Sequence, residues 1–196
     1  MADPQAPKLT MTDPEIAALR AAYQGAPRIL EYGAGGSTVL AGDLATEAVF
    51  AVESDAVWLR KLKRWFDHAR PQVSVTLHHG NIGATRAWGH PAEPLKPALW
   101  GNYPLSVWDR PDFQHPDVVL IDGRFRLACM ITTLVKITRP VLVLVDDYID
   151  RPYYHRIEDL VGPPDMCGRM ARFRFTPHPI PLDRLPWVIA AYASPQ

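Results

Sequence analysis

Little in this 196-residue chain favours an extracellular, membrane-bound or polyanion-binding protein. It has two cysteines, Cys129 and Cys167, too far apart for metal-ligand spacing. Cys129 falls within an apolar helical pattern, which predicts a reduced core thiol. There is no excess charge of either sign, with 21 basic and 21 acidic residues. A phosphate-contacting surface needs a basic excess, so nucleic acid is not the expected partner and a small molecule is. No run approaches the roughly 20 apolar residues that span a bilayer. The stretch Met1 to Thr10 is polar and proline-bearing, without the apolar centre of a signal peptide. A cytoplasmic protein with no membrane contact is expected. Repeats and low-complexity tracts are also missing. Hydrophobic residues make up 47%, enough for one domain spanning 1–196 with a sizeable core.

Short apolar runs alternate with helical patterns, which predicts an α/β, Rossmann-like, doubly wound and mostly parallel seven-stranded sheet with helices on both faces. Thr12-Asp13-Pro14-Glu15 has capping-box spacing with proline in the first turn, so a helix runs to about Gln24 and stops at Gly25. Strands are predicted at Arg28–Tyr32, Ala48–Glu53, Val73–Leu77, Asp117–Ile121 and Val141–Val145. The last is unbroken and apolar, as a strand covered on both faces must be. Helices are expected from about Ser37, from Ser54-Asp55 to Pro71, over Arg126–Thr138 and over Tyr153–Leu160. Trp58, Leu62, Trp65, Phe66 and Ala69 share one helical face, and Leu127, Met130, Ile131, Leu134 and Val135 another. Met170–Phe175 and Trp187–Tyr192 read as two late strands, paired antiparallel at the sheet edge. Ala84 to Pro116 breaks the rhythm with six prolines and three tryptophans. A loop of that length is a lid, a surface-packed aromatic segment, or a contact in a homodimer.

Glu31-Tyr32-Gly33-Ala34-Gly35-Gly36-Ser37-Thr38 joins a strand to a helix. Glycines allow a tight turn and bring a ligand close to bare backbone, and the amides opening the helix can bind polar groups. Glu53 ends the following strand, where an acid can accept from both ribose hydroxyls. Together these features point to a nucleoside-bearing ligand. A dinucleotide fingerprint needs a third glycine three residues after Gly35, and Thr38 stands there. Glu31 would repel a pyrophosphate. No G-x-x-x-x-G-K-[ST] phosphate loop occurs, and no Tyr-x-x-x-Lys pair of the short-chain oxidoreductases.

With acid-x-Gly-x-Gly followed by a strand-ending acid, the sequence resembles the class I S-adenosylmethionine-dependent methyltransferases. That resemblance lays Gly33, Gly35, Gly36 and Ser37 along the cofactor's methionine part, sets Glu31 near its amino group, and gives the ribose to Glu53 beside Ser54. It offers Asn81 and Ile82 to the adenine; an ordinary turn is the alternative for Asn81. His78 and His79 read as strand-end residues rather than ligands.

Asp122, Asp146 and Asp147 end two neighbouring strands at the carboxyl edge, where α/β sheets bind ligands. Three acids there suggest oxygen ligands for Mg²⁺, or a base with its partners. Ile121-Asp122-Gly123 and Val145-Asp146-Asp147-Tyr148 resemble the cation-dependent O-methyltransferases of the catechol, caffeoyl-CoA and macrocin types. This implies Asp122 and Asp146 at the reacting centre and all three acids on a divalent ion. Arg124 departs from the macrocin-type pattern, which has an acid there; a guanidinium opposes a bound cation. Arg124 and Arg126 could instead hold a carboxylate or phosphate of the acceptor. His155 is a second candidate base, read more simply as a surface histidine. The expected activity is O-methylation of a small hydroxylated molecule. The rivals are a non-catalytic nucleoside-binding module of the same fold and an NAD(P)-dependent oxidoreductase.

Overall fold

The computed structural model describes residues 6–92 and 97–196. Residues 1–5 of the polar N-terminal stretch, and Pro94 of the proline-rich one, lie outside that description. The chain begins with α1 (Asp13–Tyr23), then β1 (Arg28–Tyr32), α2 (Gly36–Leu44), β2 (Ala48–Glu53), α3 (Ala56–Ala69) and β3 (Ser74–His79). A short α4 (Asn102–Leu105) precedes β4 (Val118–Ile121), α5 (Arg126–Lys136) and β5 (Val141–Val145). After these come α6 (Glu158–Val161), β6 (Asp165–Cys167), β7 (Met170–Phe175) and α7 (Leu185–Tyr192). The seven strands lie in the order β3-β2-β1-β4-β5-β7-β6. The first five are parallel; β7 runs antiparallel to both β5 and β6. The strand order reverses between β1 and β4, and a crevice opens there at the strands' carboxyl ends.

Alternation along each strand divides the core. Leu30, Tyr32, Val119, Ile121, Val143 and Val145 pack with α5, α7 and the segment after β3. Ile29, Leu120 and Leu144 pack on the other face with Leu19 and Tyr23 of α1 and Leu40 of α2. The helix boundaries follow local chemistry. Thr12 and Glu15 form the expected capping box, and Asp55 caps α3 by accepting from the amides of Val57 and Trp58. In α3 the buried pair is Leu62 and Phe66, one turn apart. Cys129 is buried in α5, as its pattern predicts, whereas Val135 at the end of that stripe is 47% exposed.

Two expectations at the C-terminal edge are corrected. Trp187–Tyr192 is the body of α7, with Pro186 in its first turn and Val188 and Ala191 buried at helical spacing. The strand beside β7 is the three-residue β6, which has no apolar alternation to announce it. The proline-rich segment contains short helical turns and divides in two. Trp100, Tyr103 and Val107 are buried in the core, and Trp108 Nε1 donates to Tyr32 Oη at 2.7 Å. Its first part, around Trp88, faces the crevice, and Trp88 is 84% exposed. No described helix is long and apolar enough to cross a membrane.

Candidate active site

The turn after β1 is held from two sides. Gly33 has φ +103°, and a Cβ there would come 2.7 Å from the Gly123 amide nitrogen, so the loops after β1 and β4 touch backbone to backbone. The amides of Asp122 and Gly123 both donate to the Tyr32 carbonyl, at 2.8 and 2.7 Å. At Gly36 a Cβ would meet the backbone of Lys8 and Leu9, 2.4 Å from the Leu9 nitrogen. The chain before α1 therefore runs across the turn. A Cβ on Gly35 would meet nothing within 4 Å, so the turn is open on that side.

Glu31 supports this turn from beneath. It is fully buried, accepts from Tyr23 Oη at 2.6 Å and from Thr38 Oγ1 at 2.5 Å, and Thr38 in turn accepts from the Gly35 amide at 2.9 Å. Burial pushes its carboxyl up to about 7, against the hydrogen bonds from Thr38, Tyr23 and Ser37. Glu31 does not line the crevice; it acts on the turn through Thr38. Glu53 does line it. Its Oε1 accepts from the amides of Ser54 and Asp55 at 2.6 and 2.8 Å. Burial raises its carboxyl above the ordinary value, opposed by these amides and that of Ala34.

The crevice is a cavity of about 480 Å³. Gly33, Gly35, Gly36 and Ser37 form one wall, Glu53, Ser54 and Trp58 another, and Asp122, Gly123 and Arg124 a third. Trp58 is fixed by donating from Nε1 to the Ala34 carbonyl at 2.8 Å. Lys8 to Met11, Trp88, Gly89 and Tyr103 complete the lining. Ser54 Oγ donates to the Gly89 carbonyl at 2.9 Å, which ties the proline-rich segment to the end of β2.

Asn81 and Ile82 are not in this lining. Asn81 Oδ1 accepts from the Gly83 amide at 3.0 Å, the ordinary turn role, and Ile82 is buried in the core. The histidines also stand elsewhere. His78 hydrogen-bonds Ser106, His79 the Ser54 carbonyl, and His155 the Tyr148 carbonyl while stacking on the Tyr148 ring.

At the ends of β4 and β5 a guanidinium occupies the place a cation would take. Arg126 Nη2 lies 3.1 Å from Asp122 Oδ1 and 3.5 Å from Asp147 Oδ2. Its remaining donors reach the carbonyls of Gly123 at 3.0 Å, Asp122 at 2.8 Å and Asp146. Asp147, with φ +52°, turns outward to Arg169 at 2.6 Å. Among the described residues no group of three His, Cys, Asp or Glu side chains is gathered to hold a metal ion. The expected Mg²⁺ ligand set of Asp122, Asp146 and Asp147 thus does not fit: Asp122 and Asp147 are engaged by Arg126 and Arg169 instead. Asp122 alone of the three faces the cavity. Burial raises its carboxyl to about 7; Arg126 lowers it, and Asp146 and Asp147 push it up again.

Sequence reasoning missed Lys8 to Met11, Trp58, Gly89 and Tyr103 as lining residues. The Trp-rich segment carried a signal for the cavity-facing turn; the stretch before α1 carried none.

No protein-family model matches the sequence, and no curated protein matches it. A solved structure does: a methyltransferase-like protein from Silicibacter pomeroyi is 46% identical, with a TM-score of 0.94, over 97% of this chain and 99% of that one. The O-methyltransferase from Bacillus cereus, solved in complex with S-adenosylhomocysteine, is 16% identical, with a TM-score of 0.50. The match spans 76% of this chain and 62% of that one, a likeness of fold alone.

Proposed function

This chain belongs to the class I, Rossmann-like methyltransferase family, and on that premise we propose that it uses S-adenosylmethionine to methylate a hydroxyl of a small molecule. The observation that carries the reading is one cavity sharing the open turn at Gly35, the carboxyl of Glu53 and the carboxyl of Asp122. Glu53 accepts from the ribose hydroxyls, and the amides after Gly35 receive the polar end of the methionine part. The amino group contacts the turn rather than Glu31, whose oxygens are engaged with Tyr23 and Thr38.

When bound, the cofactor supplies a methyl carbon on a positively charged sulfur, and transfer to an acceptor oxygen breaks the carbon–sulfur bond. Asp122 takes the acceptor's proton. A carboxyl held near 7 is suited to that step, because a substantial share is ionised at neutral pH and it is more basic than an ordinary aspartate. Holding oxygen and methyl in line within the cavity contributes the rest. Calorimetric titration tests the reading: S-adenosylhomocysteine binds in the micromolar range and NAD does not. NAD binding without S-adenosylhomocysteine binding would restore the oxidoreductase alternative.

A further inference from the structure

Two arginines follow β4, and they are treated differently. Arg126 is satisfied by two carboxylates and three carbonyls. Arg124 lines the cavity beside Asp122, yet among the described residues no carboxylate pairs with it. Its Nε is buried without a hydrogen-bond partner, and its Nη1 donates to His90 Nε2 at 2.7 Å. A guanidinium donor removed from water and left unbonded is destabilising, so folding alone does not account for it.

The arrangement around it is built. Trp88 and Gly89 are consecutive left-handed residues, φ +62° and +69°, and they turn the chain so that His90 meets Arg124. A Cβ on Gly89 would lie 2.5 Å from Ser54 Oγ, so the turn is pressed onto the end of β2. Burial holds the His90 imidazole below its ordinary value, reinforced by the guanidiniums of Arg124, Arg86 and Arg151. The ring accepts from Arg124 without contributing a negative charge to it. Two more buried polar atoms lack partners nearby, Asp146 Oδ1 and Tyr154 Oη; the first adjoins Asp122 and the second lies in the field of Arg124. Arg124 thus faces the cavity with no ion pair among the described residues and a free Nε.

We propose that Arg124, steadied by His90, binds a carboxylate or phosphate carried by the methyl acceptor, so that the substrates are hydroxylated anions whose hydroxyl falls beside Asp122. This rests on the methyltransferase reading and narrows its substrate class. An oxyanion could also come from the methionine part of the cofactor, and the test separates the two.

Inorganic phosphate is titrated calorimetrically at pH 7 into wild type, R124Q and R124K, with and without S-adenosylhomocysteine. S-Adenosylhomocysteine and 5′-methylthioadenosine, which lacks the amino-acid carboxylate, are titrated into the same proteins. Saturable phosphate binding is expected in wild type, weakened about threefold by R124K and about tenfold or more by R124Q, as loss of a charge-assisted fork implies. Both nucleosides should hold their affinity within about twofold. Melting curves establish that each variant is folded, and R124K decides if R124Q is not. Absent phosphate binding, or binding equal in all three, overturns the proposal. So does a fall in S-adenosylhomocysteine affinity with methylthioadenosine unchanged, which would give Arg124 to the cofactor's carboxylate. Failure of the methyltransferase reading looks different: wild type would bind phosphate but neither nucleoside.

Discussion

Glu31 of β1 and Glu53 at the end of β2, and Asp122 and Asp147 just beyond β4 and β5, stand along the carboxyl edge of one sheet, yet their surroundings have opposite character. Glu31 and Glu53 are met by neutral donors: two hydroxyls in the first case, backbone amides in the second. Asp122 and Asp147 are met by arginine. Neutral donors orient a carboxylate without cancelling its charge, and Glu53, unlike Glu31, presents its carboxyl to the cavity. Arginine engages Asp122 and Asp147 before any ion arrives. The difference separates one cavity-lining acid held by amides from an arginine-paired cluster in which Asp122 alone meets the cavity.

Replacing Asp122 probes the comparison most severely. Asp122→Asn is expected to keep S-adenosylhomocysteine affinity and lower turnover about 10²–10⁴-fold, as loss of a general base does. In wild type, kcat/KM should rise with pH through about 7, because the ionised carboxylate is the active form. A rate insensitive to pH between 6 and 8 would assign the proton to another group. Next in size is Arg126→Met. Removing the cation leaves Asp122 without its ion-pair partner, while Asp147 keeps Arg169, so unfolding free energy should fall by about 3–5 kcal/mol in thermal or denaturant melts. A loss under ~1 kcal/mol would mean that the acids are balanced elsewhere.

Glu53→Ala should weaken S-adenosylhomocysteine about a hundredfold, close to 2.7 kcal/mol, since it strips both ribose hydrogen bonds. Unchanged affinity would remove Glu53 from the ligand. The smallest effect belongs to Glu31. Its folded carboxyl is raised to about 7, so between the unfolded value near 4.5 and that figure the folded state holds a proton the unfolded state has lost. Stability then declines as pH rises through this window, by on the order of 1–3 kcal/mol. Glu31→Gln should flatten the decline in melts taken at pH 5 and pH 8; a steeper decline would contradict the assignment. Glu15, also fully buried, shows the reverse balance. Burial raises its carboxyl, but hydrogen bonds from Thr12 and Arg169 outweigh this and bring it to about 2.

Legibility varied with the range of the interactions. The bounds of β2 and β5 follow from unbroken apolar runs closed by acids, and the glycine turn announces itself because three glycines in four residues, Gly33 to Gly36, serve no core. Trp187–Tyr192 misleads because tryptophan, valine, isoleucine and tyrosine favour strands. Packing against α5 made it helical, and its hydrophobic face became Val188 and Ala191. The metal expectation rested on three acids at two strand ends; nothing local shows that Arg126 folds back among them. Lys8 and Leu9 crossing Gly36 are similarly invisible, since a polar stretch before a helix has no periodicity.

By itself the sequence determined the five parallel strands and β7, the bend between Glu31 and Thr38, and the acid at Glu53. Each depends on a residue's neighbours along the chain: alternation, missing Cβ atoms, capping hydroxyls. Only the tertiary structure decided that Glu31 lies under the turn, that Arg126 stands where a metal was expected, and that Arg124 keeps a donor free in the cavity. The physical reason is that burial and charge compensation are set by groups distant in the chain, and whether a carboxylate serves a ligand or an arginine depends on which of them arrives.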